Sequence, residues 1–416
     1  MDPGTTKQEK AARQAASNRS AKKDPLRPYY IASGVVGGSI VLALLMMVVM
    51  PAKKHEDLDV NDESLISHVN NNNVEWRARR NPSFDGYTMR DIKRWGAVGV
   101  SQGGMMNSQQ CNVGQIPNMP ENFDVRRRWP SCYRSREAVT HTHQPSESSN
   151  QVYFQGNCSS SYAISTASTL SNRFCISDPQ MYGNLTLSPQ YLLSCDSQLT
   201  RGCLGGEIDK VYYYLEGHGL VHESCRAYQA KDGRKLPCNT EMTCSDRRRY
   251  KSSNTCVMLD RDQMKGEMLL NGPIVGLMYL YDDFFVYKSG VYSPSLTATC
   301  IMDKKGQEPM LHAVKIIGWG TEYGDDEQNY GRKSSSTVAK AGVPYWLIEN
   351  SFGASWGVNG VGKVKMQTIT PGPEYNPMLK RDVVLLENFV LSATPYTARM
   401  EEIHAQPEFA KKGDER

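Results

Sequence analysis

Three phrases, far apart in the chain, hold the residue types that peptide-bond chemistry uses. The first is Gln155-Gly156-Asn157-Cys158-Ser159-Ser160-Ser161-Tyr162-Ala163, which puts a carboxamide, a thiol and a hydroxyl in one short stretch. The second opens on His312 and runs on as Ala313-Val314-Lys315-Ile316-Ile317-Gly318-Trp319-Gly320. The third is Glu349-Asn350-Ser351-Phe352-Gly353, with Ser355-Trp356-Gly357 just beyond it. Covalent catalysis on an acyl group needs a nucleophile and a histidine that takes and returns a proton. It also needs a residue that orients the imidazole and donors that hold the oxyanion. A histidine by itself is more often structural than catalytic, so the case for His312 rests on the company it keeps.

Together the three phrases resemble the active-site motifs of the papain family, and the resemblance covers roughly residues 64–396. It implies an α+β, two-lobed fold, with a helical left lobe and a β-barrel-like right lobe. It also implies roles: Gln155 in the oxyanion hole, His312 as the catalytic histidine, Asn350 as its orienting residue, and Ser161 at the nucleophile position. The departures lie at the same place. Ser161 stands where the family has Cys, Tyr162 and Phe352 where it has Trp, and Ser159 where it has Gly; Met310-Leu311 precede His312 where small residues are usual. A cysteine at a helix start beside a histidine can have its pKa lowered to about 3.5–7.5, so that the thiolate exists at neutral pH. A hydroxyl there stays protonated. Cys158, three residues before Ser161, is not a substitute, because the resemblance pairs it with Cys203 of Gly202-Cys203-Leu204-Gly205-Gly206. It also pairs Cys132 with Cys175, and leaves the connectivity of Cys195, Cys225, Cys238, Cys244 and Cys256 open.

Other phrases narrow the likeness. Trp76-Arg77-Ala78 and Asn81-Pro82-Ser83-Phe84 resemble the prosegment of cathepsin B-like enzymes, which in that family crosses the cleft in reverse and blocks it. Met119-Pro120-Glu121-Asn122-Phe123-Asp124 is similar to the start of a mature cathepsin B-type domain. The histidines of the cathepsin B occluding loop have no counterpart between Cys225 and Cys256, so carboxydipeptidase activity is not expected. Basic residues stand there instead, among them Arg247, Arg248 and Arg249, a solvated loop or a contact for an anionic glycan or matrix partner. Leu187-Ser188-Pro189-Gln190-Tyr191, Asp283-Phe284-Phe285-Val286-Tyr287 and Leu386-Glu387-Asn388-Phe389 resemble the tubulointerstitial nephritis antigen-like branch. Members of that branch also carry Ser at the nucleophile position, which implies a noncatalytic binding role.

The site residues need elements to hold them. From Ser161, apolar residues recur at Ile164, Ala167, Leu170 and Phe174, one buried face of a helix. The small residues between them suit a central helix packed on several sides. The later half changes period. Gly272–Leu277, His312–Gly320 and Val343–Ile348 are short apolar runs ended by Gly, Pro or Asn, the pattern of strands. Residues 98–118 are rich in Gly, Gln and Asn and read as a linker, where a zymogen would be cut. Thr140–Gln151 and Thr321–Gly342 read as polar insertions.

The chain has 416 residues and a formal net charge of +4. Residues 1–29 hold seven Lys/Arg against three acidic residues, which accounts for the whole excess. The basic balance therefore describes a tail and gives no reason to expect a nucleic-acid partner. Tyr30–Met50 carries no charge over 21 residues, enough for a helix to cross a bilayer core. Its leader is longer than that of a cleaved signal peptide. The basic residues before it put the N-terminus in the cytoplasm. These features predict a cytoplasmic tail (1–29), a signal-anchor helix (30–50) and a linker with a prosegment-like region (51–118). A papain-like domain (119–396) and a polar tail (397–416) follow. The expected protein is a single-pass type II membrane protein, its C-terminal domain lumenal or extracellular, at the cell surface, in endomembranes or in lysosomes. Eleven cysteines suit a disulfide framework in an oxidising compartment, and the odd count leaves one over. No tight Cys-x-x-Cys pair with His ligands points to a metal, and no cofactor is implied. Asn184-Leu185-Thr186 is a glycosylation sequon. The function expected from these features is that of a pseudoprotease whose cleft holds a peptide or protein without cutting it. The alternative is a weak peptidase that uses Ser161, His312 and Asn350.

Overall fold

The computed structural model describes residues 54–73, 75–95, 98–101, 109–133, 152–196, 200–238, 244, 248–303, 306, 308–323, 342–366 and 386–397. The expected membrane span Tyr30–Met50, the insertion at Thr140–Gln151 and Arg247 lie outside these residues, as does most of Thr321–Gly342. Among the described residues no helix is long and apolar enough to cross a membrane.

The element that organises the domain is the helix α4. Before it come α1 (Glu63–Asn72), β1 (Trp76–Ala78), α2 (Met89–Lys93), β2 (Phe123–Asp124) and α3 (Val125–Arg128). Helix α4 is Ser161–Ser177, followed by α5 (Pro179–Tyr182), α6 (Pro189–Cys195) and α7 (Ile208–Gly217). The predicted helical face is present: Ile164, Ala167, Leu170 and Phe174 are all buried. The burial goes all round, from Ser161 to Cys175 without a break. Such a helix can approach its neighbours on every side only if most of its side chains are small. Two of the hydroxyls bond back onto the helix itself. Ser165 Oγ donates to the Ser161 carbonyl at 2.7 Å, and Ser171 Oγ to that of Ala167 at 2.7 Å.

The second half is β-rich, with β3 (Ser252–Met258), α8 (Arg261–Asn271), β4 (Ile274–Tyr279) and β5 (Tyr287–Tyr292). It continues with β6 (Leu311–Glu322), β7 (Val343–Glu349), β8 (Val361–Lys365) and β9 (Val390–Pro395). The three runs expected to be strands are β4, β6 and β7. The strand order is β1-β5-β8-β7-β6-β4-β9-β3, with β2 also paired to β6. The pairing of β5 with β8 is parallel. Two buried apolar clusters result. One gathers the aromatic residues of the prosegment-like region and the sheet, the other the first-half helices with parts of β4, β6 and β9.

Both ends of the sheet are covered. On the outer edge of β1, the Asn70 side chain takes the place of a strand, donating to the Ala78 carbonyl at 2.9 Å and accepting from its amide at 2.9 Å. Beside β3, Cys111 N donates to Val257 O and Val257 N donates to Gln109 O, each at 2.9 Å. An edge left open would be a template for association.

Five disulfides join the described cysteines. Cys132–Cys175 and Cys158–Cys203 are as the resemblance implied. The pairs left open from sequence are Cys195–Cys238, Cys225–Cys244 and Cys111–Cys256, and Cys300 is the one left over.

One buried ion pair ties α4 to the second half. Arg173, 2% exposed, pairs with Glu267 of α8 at 2.7 Å. It also donates to the Pro273 carbonyl at 2.7 Å and that of Ala393 at 3.1 Å. Burial pushes the Glu267 carboxyl up, but the Arg173 charge and three hydrogen bonds outweigh it, and the net shift is down. Removing one partner of such a pair strands the other charge. Arg173→Ala is therefore expected to lower the unfolding free energy by about 3–5 kcal/mol. The denaturant midpoint measures this; a shift no larger than that of an exposed Arg→Ala control would contradict it.

Candidate active-site cleft

The structure brings the four residues singled out in sequence into one place. Ser161 begins α4, His312 is the second residue of β6 and Asn350 directly follows β7. Gln155 lies in the turn before α4. All four are buried. In that turn Gly156 has φ +66°, and a Cβ on it would stand 2.2 Å from the Lys231 carbonyl oxygen, which accepts from Asn157 N at 2.7 Å. The position demands glycine both for its conformation and for this close approach.

Asn350 Oδ1 accepts from His312 Nε2 at 2.8 Å and from the Ser351 amide at 2.8 Å. The amide can only donate, so it identifies the Asn350 oxygen. His312 Nε2 must then carry the proton, which leaves Nδ1 as the ring's acceptor. Burial drives the His312 pKa down to about 4, against the opposing effect of the Asn350 bond. The imidazole is therefore neutral in the fold. Phe352 covers this pair, its ring centroid 4.7 Å from that of His312.

The Ser161 hydroxyl is engaged elsewhere. Its Oγ accepts from the Ala313 amide at 3.2 Å, and no hydrogen bond joins it to His312. Gln155 is bracketed at both ends: Nε2 donates to the Cys158 carbonyl at 3.0 Å and Oε1 accepts from Ser351 Oγ at 2.6 Å. Tyr228 closes the same corner, donating to the Gln155 carbonyl at 2.8 Å and sharing a 2.6 Å bond with Ser160 Oγ. At the position of the family Trp, Tyr162 donates its hydroxyl to Gly202 O at 3.0 Å.

The cleft is not open. The prosegment-like region packs Phe84 edge-on against Phe352 at 5.2 Å and Phe285 at 5.1 Å, and Trp95 lies beside the same rings. The stretch read as a linker then forms a strap. Val98 bridges Leu311, the neighbour of His312, and Gly99 runs parallel to Glu207. Gly99 N donates to Gly206 O at 3.0 Å, Ile208 N donates to Gly99 O at 2.8 Å, and Ser101 N donates to Asp209 at 2.9 Å. Sequence reasoning missed this because the contacts are made by the backbone, which composition and periodicity do not report. It also missed Lys315 and Glu349, cross-strand neighbours paired at 3.0 Å under Asn350, with Ser168 accepting from Lys315 at 2.8 Å. A charged residue inside the apolar run of β6 was the signal. Beside that pair lies a cavity of about 10 Å³ that also borders Tyr153 and Asn350.

The asparagine of the glycosylation sequon and the described arginines of the basic run lie at the surface. Asn184 is exposed. Arg248 and Arg249 are exposed, and Arg249 stands over the Tyr191 ring at 4.5 Å. Among the described residues no group of three His, Cys, Asp or Glu could hold a metal ion.

A hydroxyl at the start of a central helix, facing an imidazole on the neighbouring sheet, is the layout of a papain-like peptidase domain. Residues 139–376 match the profile described as papain family cysteine protease, more than half of the chain, and the chain belongs to that family. Human tubulointerstitial nephritis antigen is 30% identical over 322 residues, covering 72% of this chain and 61% of that protein. The human tubulointerstitial nephritis antigen-like protein is 29% identical over 330 residues, 72% of this chain and 63% of that one. The chain thus spans less than two thirds of the length of either relative. Among solved structures, procathepsin B S9 from Trypanosoma congolense superposes with a TM-score of 0.61 at 24% identity, over 82% of this chain and 100% of that one. Procathepsin L 3 of Tenebrio molitor does so at 0.53 and 18%, over 80% and 88%. At these identities the two structures speak for the fold alone.

The buried histidine sets a pH dependence. An imidazole held at about 4 in the fold returns to about 6.5 on unfolding. The unfolded chain therefore binds the extra proton as pH falls below 6.5, and stability drops until pH 4. Asp283 works in the opposite sense. Burial, aided by the Asp282 charge, raises its carboxyl to about 7, so its contribution is full below about 4 and is lost as pH rises through 7. Between pH 4.5 and 6.5 the two slopes oppose each other. His312→Gln should leave a protein whose melting temperature rises on acidification relative to the parent, and Asp283→Asn one whose melting temperature falls. Parallel profiles for all three proteins would show that neither group titrates as described.

Proposed function

We propose that this chain is a catalytically inactive, membrane-anchored cathepsin B-like homologue that works by binding. The observation that carries this reading is the hydrogen bonding of Ser161. Its oxygen accepts from the Ala313 amide and makes no hydrogen bond to His312, so the ring's acceptor Nδ1 is not placed to take its proton. A serine acts as a nucleophile only with a base placed to take its proton during attack. The ion pair that would activate a thiol at this position has no equivalent for a hydroxyl. The strap over Gly206 and Leu311 occupies the same cleft, so any ligand bound there would first have to displace it.

Tyr30–Met50 provides the anchor, and residues after it face the lumen or the outside. Binding then falls to the cleft once the strap is displaced, or to the basic run Arg247–Arg249, whose charge suits an anionic glycan or a matrix protein. Asn184 is the expected site of an N-glycan.

Two experiments test this. The purified chain and its Ser161→Ala variant should leave fluorogenic dipeptide and tripeptide amides equally untouched between pH 4.5 and 7.5. Turnover by the parent that disappears in Ser161→Ala would instead establish a serine peptidase. Separately, changing Arg247, Arg248 and Arg249 together to Ala should bring elution from a heparin column to a lower salt concentration, since fewer cations then meet the polyanion and salt screens those that remain. Unchanged elution would remove that loop as the anionic contact.

A further inference from the structure

The strap has an anchor that the family resemblance did not imply. Cys111, ten residues beyond Ser101, is bonded covalently to Cys256 of β3. The residues around it are seated as well. Cys111 N and Val257 N make the two backbone bonds at the edge of β3. Val113 lies over α8 at Gly266, where an added Cβ would stand only 2.4 Å from its Cγ1. The absence of a side chain at Gly266 thus makes room for this segment. Residues 112–118, where a zymogen of this kind would be cut just ahead of Met119, lie on the far side of the bridge from the strap.

We propose that Val98–Ser101 is a covalently retained occupant of the cleft, kept in place by the Cys111–Cys256 bridge even after the chain is cut between Asn112 and Met119. Without the bridge, a cut there would leave the strap held only by noncovalent contacts, free to dissociate and dilute away. With the bridge, the strap stays about ten residues from a fixed point. For about ten residues the random-coil limit is an r.m.s. span of about 17 Å, and an end tethered within that range has an effective concentration in the millimolar range. Rebinding is then intramolecular. A cut ahead of Cys111 is different, because it separates the strap from the tether. The position of the cut relative to Cys111 therefore decides whether the cleft can take another ligand.

The test compares two cuts in the full-length chain in detergent micelles, with every disulfide intact. One version carries a recognition sequence for a site-specific protease between Pro117 and Asn118, the other between Met106 and Asn107. Each is nicked and passed over a size-exclusion column. It is then titrated with a fluorescein-labelled peptide of residues 94–103, read by fluorescence anisotropy. Hydrogen exchange of the segment containing Ile208, whose amide donates to Gly99, is followed in parallel. The nick after Pro117 should leave peptide binding undetectable and Ile208 protected as in the uncut chain. The nick after Met106 should allow saturable binding and speed exchange at Ile208 at least tenfold. If both nicked proteins bind the peptide, or if neither does, the bridge is not what retains the strap and the proposal fails. Neither readout involves hydrolysis, so this result and the catalytic status of Ser161 are decided separately.

Discussion

Everything about the site depends on α4 being buried on all its faces. A helix in that position cannot carry long polar side chains, and nearly every residue from Ser161 to Cys175 is small, apolar or bonded to its own helix. The one charged side chain among them is Arg173, and its charge is met by Glu267 and by carbonyls of the second half. The helix starts where the two halves meet, and so Ser161 arrives against β6. The Cys132–Cys175 and Cys158–Cys203 bridges fasten the segments just before and around it. The cleft is thus a consequence of how one helix is packed.

That packing makes the chemistry of the nucleophile position decisive. In a dry site, a charge-separated pair is retained only if both charges are well held. Sulfur at the start of a helix, beside an imidazole, can meet that condition because its thiolate is readily formed. Oxygen cannot, and the surroundings have settled around a neutral arrangement: His312 unprotonated, Asn350 turned to it, and Ser161 accepting from a backbone amide. Tyr162 and Phe352 fit the same arrangement. One hydrogen-bonds to the turn at Gly202, and the other stacks with Phe285 and meets Phe84. The replacements around the cleft therefore read as a connected set of contacts.

The same sheet that presents His312 also receives the segments that precede the domain. Trp76–Ala78 extends it at one end, and Gln109–Cys111 covers the other. Between them the strap crosses by way of Gly206 and Leu311. Composition described residues 98–118 as a linker, and by periodicity it is one, since it has no repeating apolar face. What holds it is a run of backbone hydrogen bonds and one cysteine, and backbone groups are the same in every sequence.

The sequence alone determined which family of folds could be built. The spacing of Ile164, Ala167, Leu170 and Phe174, the short apolar runs later on, and the phrases around Gln155, Ser161, His312 and Asn350 are local, and local patterns report helices, strands and motif residues directly. Two of the five disulfides were legible through those motifs. Only the tertiary structure decided the partner of Ser161, the tautomer and charge of His312, the pairing of Lys315 with Glu349, the bridge from Cys111 to Cys256 and the occupant of the cleft. Each of these depends on groups more than 30 residues apart being brought within hydrogen-bonding or bonding distance. Burial then set the energies, and burial is a property of the packed chain.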